Sequence, residues 1–228
     1  AGDQILNVEN LSNSVENEVL FKNIDLNLSK GDKVLVFSRD SRATTNFFQI
    51  ISNCLEPDSG SFNWGITTSQ SYLPLDNSEF FNKDTNLVEW LREYANTEEE
   101  REEVYLRGFL GKMIFSGDEA LKKCNVLSGG EKVRCMISKM MMKKGNVLIL
   151  DEPTNHLDLE SITAFNNSLK NFKGTILLST HDHEFAQTIA NRIIELGPSG
   201  IIDRYMSFEE YMKDSKIKQL RESMLEIT

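Results

Sequence analysis

The sequence has few of the residues on which disulfide-rich and zinc-binding proteins depend. It contains three cysteines and three histidines in 228 residues, and no two cysteines form a CxxC pair. The cysteines and histidines are not combined at metal-ligand spacing, which argues against a disulfide scaffold and a zinc site. Such usage is typical of a reducing compartment, so we expect a cytoplasmic protein with reduced thiols.

Long apolar runs are also missing. No stretch approaches the roughly 18–20 apolar residues that a membrane span requires. The first residues, Ala1-Gly2-Asp3-Gln4, have neither the basic region nor the apolar core of a secretory signal. We therefore expect no membrane partner and no secretion. The first residues could be the remnant of a tag, in which case the chain is a fragment of a larger protein.

Positive charge is the scarcer sign, because 25 Lys and Arg oppose 35 Asp and Glu and leave a net charge of −10. Affinity for naked nucleic acid comes mainly from neutralising phosphates, so this balance argues against direct binding to naked DNA. The hydrophobic share of 39% and the charged share of 26% are those of an ordinary globular protein.

Hydrophobic periodicity divides the chain into regions. Alternation in Ile24–Leu28 predicts a half-buried strand, and the wholly apolar run Val34–Phe37 predicts a strand of a parallel sheet. Apolar residues at helical spacing then predict a helical subdomain over 84–127, within which the acidic run Glu98–Glu103 predicts a solvated helix start.

The last third of the chain alternates strands and helices. Two short apolar runs, 147–150 and 175–178, predict buried strands, and the helical patterns between and after them indicate parallel βαβ units. The other predicted elements are helices at 162–169 and 184–190, a hairpin at 193–202 and a helical tail at 208–227.

The strongest chemical signal is the pair Asp151-Glu152 at the end of a buried strand. Ligands of doubly wound sheets bind outside the carboxyl ends of the strands, where one carboxylate can hold Mg²⁺ and the next can polarise a water. Two adjacent acids are costly to keep ionised without a cation nearby. A strand followed by an acid that caps the next helix explains the pair equally well from the sequence alone.

A second signal is the segment Leu127–Glu131, Leu-Ser-Gly-Gly-Glu. Ser128 and Glu131 have the S-x-x-E spacing of a capping box, which predicts a helix start. An ordinary helix start does not need Gly129 and Gly130, because glycine weakens a helix by up to ~1 kcal/mol per residue. The glycines make sense where backbone N–H groups must approach an anion, so the segment predicts a phosphate site.

A third signal is His181, which directly follows the end of the second buried strand. A lone histidine is usually structural. Because parallel strands end at one edge of a sheet, His181 is expected beside Asp151 and Glu152, and this placement favours a functional role.

These segments, in this order and spacing, resemble the ATP-binding-cassette superfamily. Leu127–Glu131 is similar to its signature motif, Leu148–Glu152 to its Walker B strand, Asp158 to its D-loop and His181 to its switch histidine. The wording Asp-Glu-Pro-Thr-Asn-His-Leu-Asp resembles the ABC-F subfamily, whose members are soluble two-cassette proteins that act as translation factors on the ribosome. No arm insertion is visible in 84–127, so the chain resembles the second, C-terminal cassette.

The resemblance implies a fold, cofactors and residue roles. The fold is an α/β P-loop NTPase core with a parallel sheet, an antiparallel β subdomain and an inserted helical subdomain. A single cassette over 1–228 would comprise a β subdomain with the phosphate loop (4–83), the helical subdomain (84–127), the signature helix, Walker B strand and switch histidine (128–205) and a helical tail (206–228). The implied cofactors are ATP and Mg²⁺, with Thr45 and Asp151 as metal ligands and Glu152 and His181 as catalytic residues.

The phosphate loop is where the sequence departs from the family. The pattern G-x-x-x-x-G-K-[ST] falls on residues 38–45, but Ser38 and Ala43 replace its two glycines and Thr44 replaces the lysine that binds phosphate. Ser41 stands where the family has a further glycine. Only Thr45 keeps the expected hydroxyl. The nucleotide-binding positions implied by the resemblance are Ser38, Arg39, Asp40, Ser41, Arg42, Ala43, Thr44, Thr45, Ser128, Gly129, Gly130, Glu131 and Asp158.

Two further positions depart from the family in the same way. Val15 aligns with the aromatic residue that stacks on adenine, and Leu75 aligns with the glutamine that helps to order Mg²⁺ and water. In this family each ATP lies between the Walker A loop of one cassette and the signature of another. The resemblance therefore implies that this signature serves the ATP of a second cassette, while the chain's own site binds weakly or does not hydrolyse. The isolated chain is expected to be inactive as an ATPase.

Two other function classes stay open. A non-catalytic interaction module would bind nucleotide weakly or not at all, and a transporter ATPase subunit would need a membrane partner. An upstream cassette with an intact Gly-Lys-Ser loop in the full-length protein would favour the two-cassette ATPase. Its absence would favour the interaction module.

Overall fold

The computed structural model of this protein describes residues 3–225, and this range contains nine strands and eight α-helices. The strands are β1 (Gln4–Val15), β2 (Glu18–Ser29), β3 (Lys33–Ser38), β4 (Ser59–Trp64), β5 (Gln70–Leu73), β6 (Val147–Asp151), β7 (Thr175–Ser179), β8 (Arg192–Gly197) and β9 (Gly200–Arg204). The helices are α1 (Ser41–Ile51), α2 (Leu87–Arg92), α3 (Glu103–Lys112), α4 (Gly129–Lys143), α5 (Leu159–Lys170), α6 (His183–Ile189), α7 (Phe208–Lys213) and α8 (Ser215–Leu225).

The strands form two sheets, as the sequence predicts. An antiparallel sheet has the order β2-β1-β4, and a six-stranded sheet has the order β5-β6-β7-β3-β8-β9. In the larger sheet β6, β7, β3 and β8 run parallel, and β9 returns antiparallel along β8 as the predicted hairpin. The α/β class is therefore confirmed.

The antiparallel sheet is built on the long hairpin of β1 and β2. Its two-residue turn, Glu16-Asn17, has positive φ at both residues, which is the geometry of the type I′ turns that suit twisted hairpins. The strand predicted at Ile24–Leu28 is part of a longer strand, β2, in the structure. Register shifts along the pairing and left-handed Asn10 and Asn23 accommodate the breaks in alternation, since asparagine tolerates positive φ.

Strand β3 is apolar from Val34 to Phe37 because it packs on both faces. Val34 and Val36 belong to a core shared with α1 and the antiparallel sheet. Leu35 belongs to a second core with residues of α6, α7 and α8, and Phe37 packs against it. This three-layer arrangement holds the residues that follow β3 in a fixed position.

The C-terminal tail is anchored by a buried carboxylate. Glu195 on β8 is 1% exposed and accepts hydrogen bonds from the Tyr211 hydroxyl at 2.7 Å and the Arg221 Nε at 2.7 Å. The single helix predicted for the tail is two helices, α7 and α8, that meet at Asp214. The predicted last residue of that helix, Ile227, lies outside the described residues.

The chain forms two compact units. The first contains the segment up to residue 72, residues 146–152 and the segment from 173 onward. The second contains 73–145 and 153–172, so α4 and α5 group with the helical region and make it larger than the predicted 84–127.

One local prediction within the second unit is wrong. The acidic run was expected to begin a helix, but α3 begins at Glu103 with Glu102 as its N-cap, and the preceding acids form turns. Val104, which continues the apolar pattern in the sequence, lies in α3 but is exposed. No helix within residues 3–225 is long and apolar enough to span a bilayer.

Candidate functional site

Polar side chains meet at the carboxyl edge of β6 and β7. The parallel register places Asp151 beside Ser179, whose hydroxyl donates a 2.8 Å hydrogen bond to the Asp151 Oδ1. The Thr45 side chain also hydrogen-bonds to Asp151, and burial raises the pKa of this carboxyl group, which is 2% exposed. The structure thus brings together the two residues proposed as Mg²⁺ ligands.

The proposed catalytic pair also meets at this edge. The Nε2 of His181 lies 3.2 Å from the Oε1 of Glu152, whose side chain is 13% exposed, whereas that of His181 is 80% exposed. Burial raises the pKa of Glu152, and the neighbouring Asp151 charge adds to the effect, while His181 opposes it. The resulting geometry is that of an exposed imidazole resting on a shielded carboxyl group.

Glu152 has a strained backbone. Its φ is +48°, in the left-handed region that costs a non-glycine residue roughly 1–2 kcal/mol. Its N–H donates to both the carbonyl oxygen and the hydroxyl of Ser179, at 3.1 and 2.9 Å, and these bonds hold the turn. Strained residues of this kind concentrate at functional sites. No local sequence pattern predicts this left-handed conformation of Glu152.

Two carboxylate oxygens are left for a cation. The Oδ2 of Asp151 and the Oε2 of Glu152 are buried, and neither finds a hydrogen-bond partner within residues 3–225. A buried unpartnered carboxylate oxygen is costly, and oxygen is the ligand that Mg²⁺ prefers. The residues therefore fit Mg²⁺, with Asp151 and Thr45 as ligands. The described residues contain no group of three His, Cys, Asp or Glu side chains that could hold a metal ion.

The phosphate-loop region carries its own anion. Helix α1 begins at Ser41, and the N-cap Asp40 accepts a 3.0 Å hydrogen bond from the Arg42 N–H. The Arg42 Nη2 lies 2.7 Å from the Asp40 Oδ2 and 2.5 Å from the Oε2 of Glu18. The hydrogen bond from Arg42 holds the pKa of Asp40 below its usual range. A carboxylate of the chain thus lies at the helix N-terminus, where a phosphate-binding loop would hold its ligand.

The backbone of this loop does not form a phosphate cradle. A nest of N–H groups needs residues in the left-handed conformation, and no residue from 38 to 45, all within the described chain, has positive φ. Side chains at the glycine positions explain this, because they disfavour that conformation. Ala43 and Thr44 are buried, the Thr44 hydroxyl lies 3.3 Å from that of Ser38, and Arg39 and Ser41 are exposed.

The other two positions that depart from the family are placed separately. Val15 ends β1 beside the hairpin turn, and Leu75 follows β5 with 56% of its surface exposed. A cavity of about 390 Å³ lies next to the loop and is lined by residues of the β1–β2 turn, the loop and the β8–β9 turn, including Glu18, Arg39 and Pro198.

The predicted capping box is present at the start of α4. The Ser128 hydroxyl accepts from the Glu131 N–H at 3.2 Å, and the Ser128 N–H donates to the Glu131 Oε1 at 3.1 Å. Asp158, the predicted D-loop residue, caps α5 by accepting a 2.8 Å bond from the Ser161 N–H. Hydrogen bonds from Ser161 lower the pKa of Asp158.

The surroundings of Gly129 and Gly130 in the signature give different explanations for a glycine at each position. A Cβ at Gly130 would lie 2.5 Å from the carbonyl oxygen of His156, so contact within the chain requires glycine there. A Cβ at Gly129 would lie 3.6 Å from the His156 ring, which is an ordinary contact. The sequence predicts that both glycines allow an anion to approach, and the contact with His156 gives Gly130 a second reason within the chain.

Sequence reasoning missed two residues of these sites. Ser179 was detectable, because aligning the ends of the two predicted parallel strands places it opposite Asp151. His156 has φ of +67° and presses against the signature glycines from 26 positions further along the chain. Nothing local in the sequence signals that contact.

Comparisons with known proteins show which family the chain is similar to. The family described as ABC transporter matches residues 21–155. The uncharacterized ABC transporter ATP-binding protein YkpA of Bacillus subtilis (strain 168) is 52% identical over 219 residues, covering 96% of this chain and 40% of the relative. The energy-dependent translational throttle protein EttA of Escherichia coli (strain K12) is 30% identical over 221 residues, covering 93% and 39%.

A plant relative and a solved structure extend the comparison. ABC transporter F family member 5 of Arabidopsis thaliana is 29% identical over 231 residues, covering 99% of this chain and 33% of the relative. The dimeric structure of a bacterial ABC transporter cassette matches with a TM-score of 0.72 and 19% identity, covering 89% of this chain and 99% of that one. The chain spans 33–40% of the length of the three relatives.

Proposed function

The chain belongs to the ABC transporter family, and we propose that it is the C-terminal, signature-donating cassette of a two-cassette ABC-F ATPase. Its relatives are more than twice its length, and one of them is named as an F family member. ATP would lie between this cassette and a second cassette, and we propose that both cassettes reside in one polypeptide.

ATP bound at that interface would be held by the phosphate loop of the second cassette.

The observation that carries this proposal is the carboxylate of Asp40 at the N-terminus of α1. A loop that supplies its own anion and lacks left-handed backbone is poorly suited to a triphosphate. The N-terminus of α4, by contrast, has a neutral hydroxyl as its cap and a glycine at its first position. We therefore assign the trans role to Ser128, Gly129 and Gly130, and a weak or non-hydrolytic role to residues 38–45.

The residues of this chain would act by position and charge. The Ser128 side chain and the N–H of Gly129 would point at the γ-phosphate of the ATP held by the second cassette. Mg²⁺, when bound with ATP, supplies charge neutralisation of the phosphates. At the chain's own site Asp151 and Thr45 would hold the ion, and Glu152 and His181 would be the catalytic pair if any turnover occurs there.

A role in translation is the finer part of the proposal. It is supported by EttA, which is named as a translational throttle protein and matches 93% of this chain. We propose the ribosome as the partner on that similarity. Binding of the full-length protein to purified ribosomes, measured by co-sedimentation with ATP, is the direct check.

The test of the trans role compares two variants of the two-cassette protein. Ser128→Arg should abolish most ATP hydrolysis, because the larger side chain fills the space needed by the γ-phosphate. Glu152→Gln should change the rate little, since Glu152 belongs to the chain's own site, where Thr44 replaces the lysine that binds phosphate. The measurement is kcat for each variant against the parent.

Equal damage from both variants would contradict the asymmetric assignment. The chain's own site would then be a working one, with another group in place of the missing lysine. Arg42 is engaged by Asp40 and Glu18, so the exposed Arg39 would be the first residue to examine. Loss of activity in neither variant would favour the non-catalytic interaction module.

A further inference from the structure

The capping box of α4 is held from outside the helix by a lysine. The Lys122 Nζ lies 2.8 Å from the Oε2 of Glu131, and the other oxygen of Glu131 accepts the Ser128 N–H. Lys122 also lies 2.8 Å from the Oε2 of Glu119. A continuous chain of contacts therefore runs from Lys122 through Glu131 to Ser128.

The backbone around Lys122 is fixed by its neighbours. Its carbonyl oxygen accepts a 3.1 Å hydrogen bond from the N–H of Leu87, the first residue of α2. The N–H of Cys124 donates to the Thr85 carbonyl oxygen at 2.8 Å, and Asn86 and Lys123 form an isolated antiparallel bridge. The lysine is therefore presented from a paired segment of the helical unit.

We propose that Lys122 is a positioning residue for the nucleotide bound in trans, an inference that rests on the proposed function. It fixes the Glu131 carboxylate in the rotamer that closes the capping box. It also balances the negative charge of Glu131 next to the helix N-terminus that the triphosphate would approach. Without Lys122, an uncompensated carboxylate would repel the phosphates and be free to leave Ser128.

The ionisation of Glu131 agrees with a role for Lys122 as its counter-charge. Burial alone would raise the pKa of Glu131, but hydrogen bonds from Lys122 and Ser128 outweigh it and lower the pKa. The side chain of Glu131 is 18% exposed, so its negative charge is only partly screened by water. A charge of this kind beside an anion site needs a fixed counter-charge, and Lys122 supplies it.

The first experiment follows amide hydrogen exchange in the isolated chain. Lys122→Met should speed exchange at Ser128 and Glu131, whose N–H groups form the capping box, and Lys122→Arg should restore protection. Lys123→Met is the matched control, because Lys123 pairs with Asp84 at 3.3 Å and is not part of the chain of contacts to Ser128. Unchanged exchange in Lys122→Met would overturn the inference.

The second experiment measures ATP hydrolysis by the two-cassette protein. Lys122→Met should raise the KM for ATP roughly tenfold, the size of one charge-assisted hydrogen bond, with a smaller change in kcat. Lys122→Arg should recover the parental KM, and Lys123→Met should not alter it. A purely structural role would leave KM unchanged.

The two experiments separate this inference from the proposed function. Faster exchange with an unchanged KM overturns the inference if Ser128→Arg still abolishes hydrolysis. If Ser128→Arg is also harmless, the proposed function fails, and the inference fails with it as a statement about nucleotide. Faster exchange together with a raised KM supports both.

Discussion

Helices α1 and α4 both begin with a side-chain cap, but the cap of α1 is charged and the cap of α4 is neutral. At α1 the cap is the carboxylate of Asp40, which is paired with Arg42, and a buried alanine and threonine follow in the first turn. At α4 the cap is the hydroxyl of Ser128, and glycines follow. A helix N-terminus attracts negative charge. At α1 the charge of the chain occupies the cap position itself, whereas at α4 the carboxylate of Glu131 lies at the third helical position and is paired with Lys122.

The largest expected effect tests the α4 side of this comparison. Gly130→Ala should destabilise the chain by about 1–3 kcal/mol, because the new methyl group would overlap the carbonyl oxygen of His156. Gly129→Ala should leave stability unchanged or slightly higher, since alanine favours a helix and meets only ordinary contacts. Thermal unfolding should show about 2–4 °C of lowering per kcal/mol for Gly130→Ala. Equal melting temperatures for the two variants would contradict the contact.

A smaller effect is expected at the sheet edge that Thr45 of α1 contacts. Asp151→Asn should stabilise the chain by about 1–2 kcal/mol at pH 7, because it removes a buried charge with an unpartnered oxygen. The folded pKa of Asp151 is raised, so its protonated form contributes stability below the ordinary value of 3.8, and this is lost as pH rises through the folded pKa. The difference in melting temperature between variant and parent should therefore shrink on acidification. A constant difference across pH would be evidence against the buried charge.

The two caps themselves should differ in pH dependence. Asp40→Ala and Ser128→Ala should each cost about 1 kcal/mol, the usual size of a lost N-cap. The folded pKa of Asp40 is lowered, so its contribution is present above the ordinary value of 3.8 and disappears as pH falls through the folded pKa. Denaturant unfolding of Asp40→Ala and parent should therefore converge in acid. The loss in Ser128→Ala should persist there, because a hydroxyl does not titrate.

The smallest expected effect is that of MgATP on the isolated chain. Millimolar MgATP should shift its melting temperature by less than about 1 °C, since a ligand stabilises by RT ln(1 + [L]/Kd), which is small where Kd exceeds the ligand concentration. Light scattering should show a monomer with and without nucleotide, because two copies would face each other with two altered loops. Phosphate release should stay far below the typical enzyme median of ~10 s⁻¹. An ATP-dependent dimer would show that residues 38–45 bind nucleotide after all.

The features that sequence predicted well depend on residues close together in the chain. The strands at 147–150 and 175–178, the hairpin of β8 and β9 and the capping box of α4 follow from periodicity, from the turn residues 197–200 or from the S-x-x-E spacing. These preferences act between residues a few positions apart, and the tertiary contacts of the folded chain are compatible with them.

The features that sequence missed depend on contacts between distant segments. Gly130 is required by His156, and Arg42 is held by Glu18 from the start of β2. The left-handed Glu152 is fixed by hydrogen bonds to Ser179, 27 residues away. Only the position of Ser179 at the end of the neighbouring strand could be deduced from the predicted strands. The other contacts and the left-handed geometry of Glu152 depend on which segments become neighbours.

The strand order of the larger sheet has a consequence for synthesis on the ribosome. Strand β3 lies between β7 and β8, so Lys33 pairs with Ile176 and Val34 with Arg192. At roughly 5–20 residues per second, the intervening chain of about 140 residues takes about 7–28 s to make. The hairpin of β1 and β2 can close at once, whereas β3 must wait for partners not yet translated. Strand β3, which is buried on both faces in the folded protein, therefore waits for its partners through most of the synthesis of the chain.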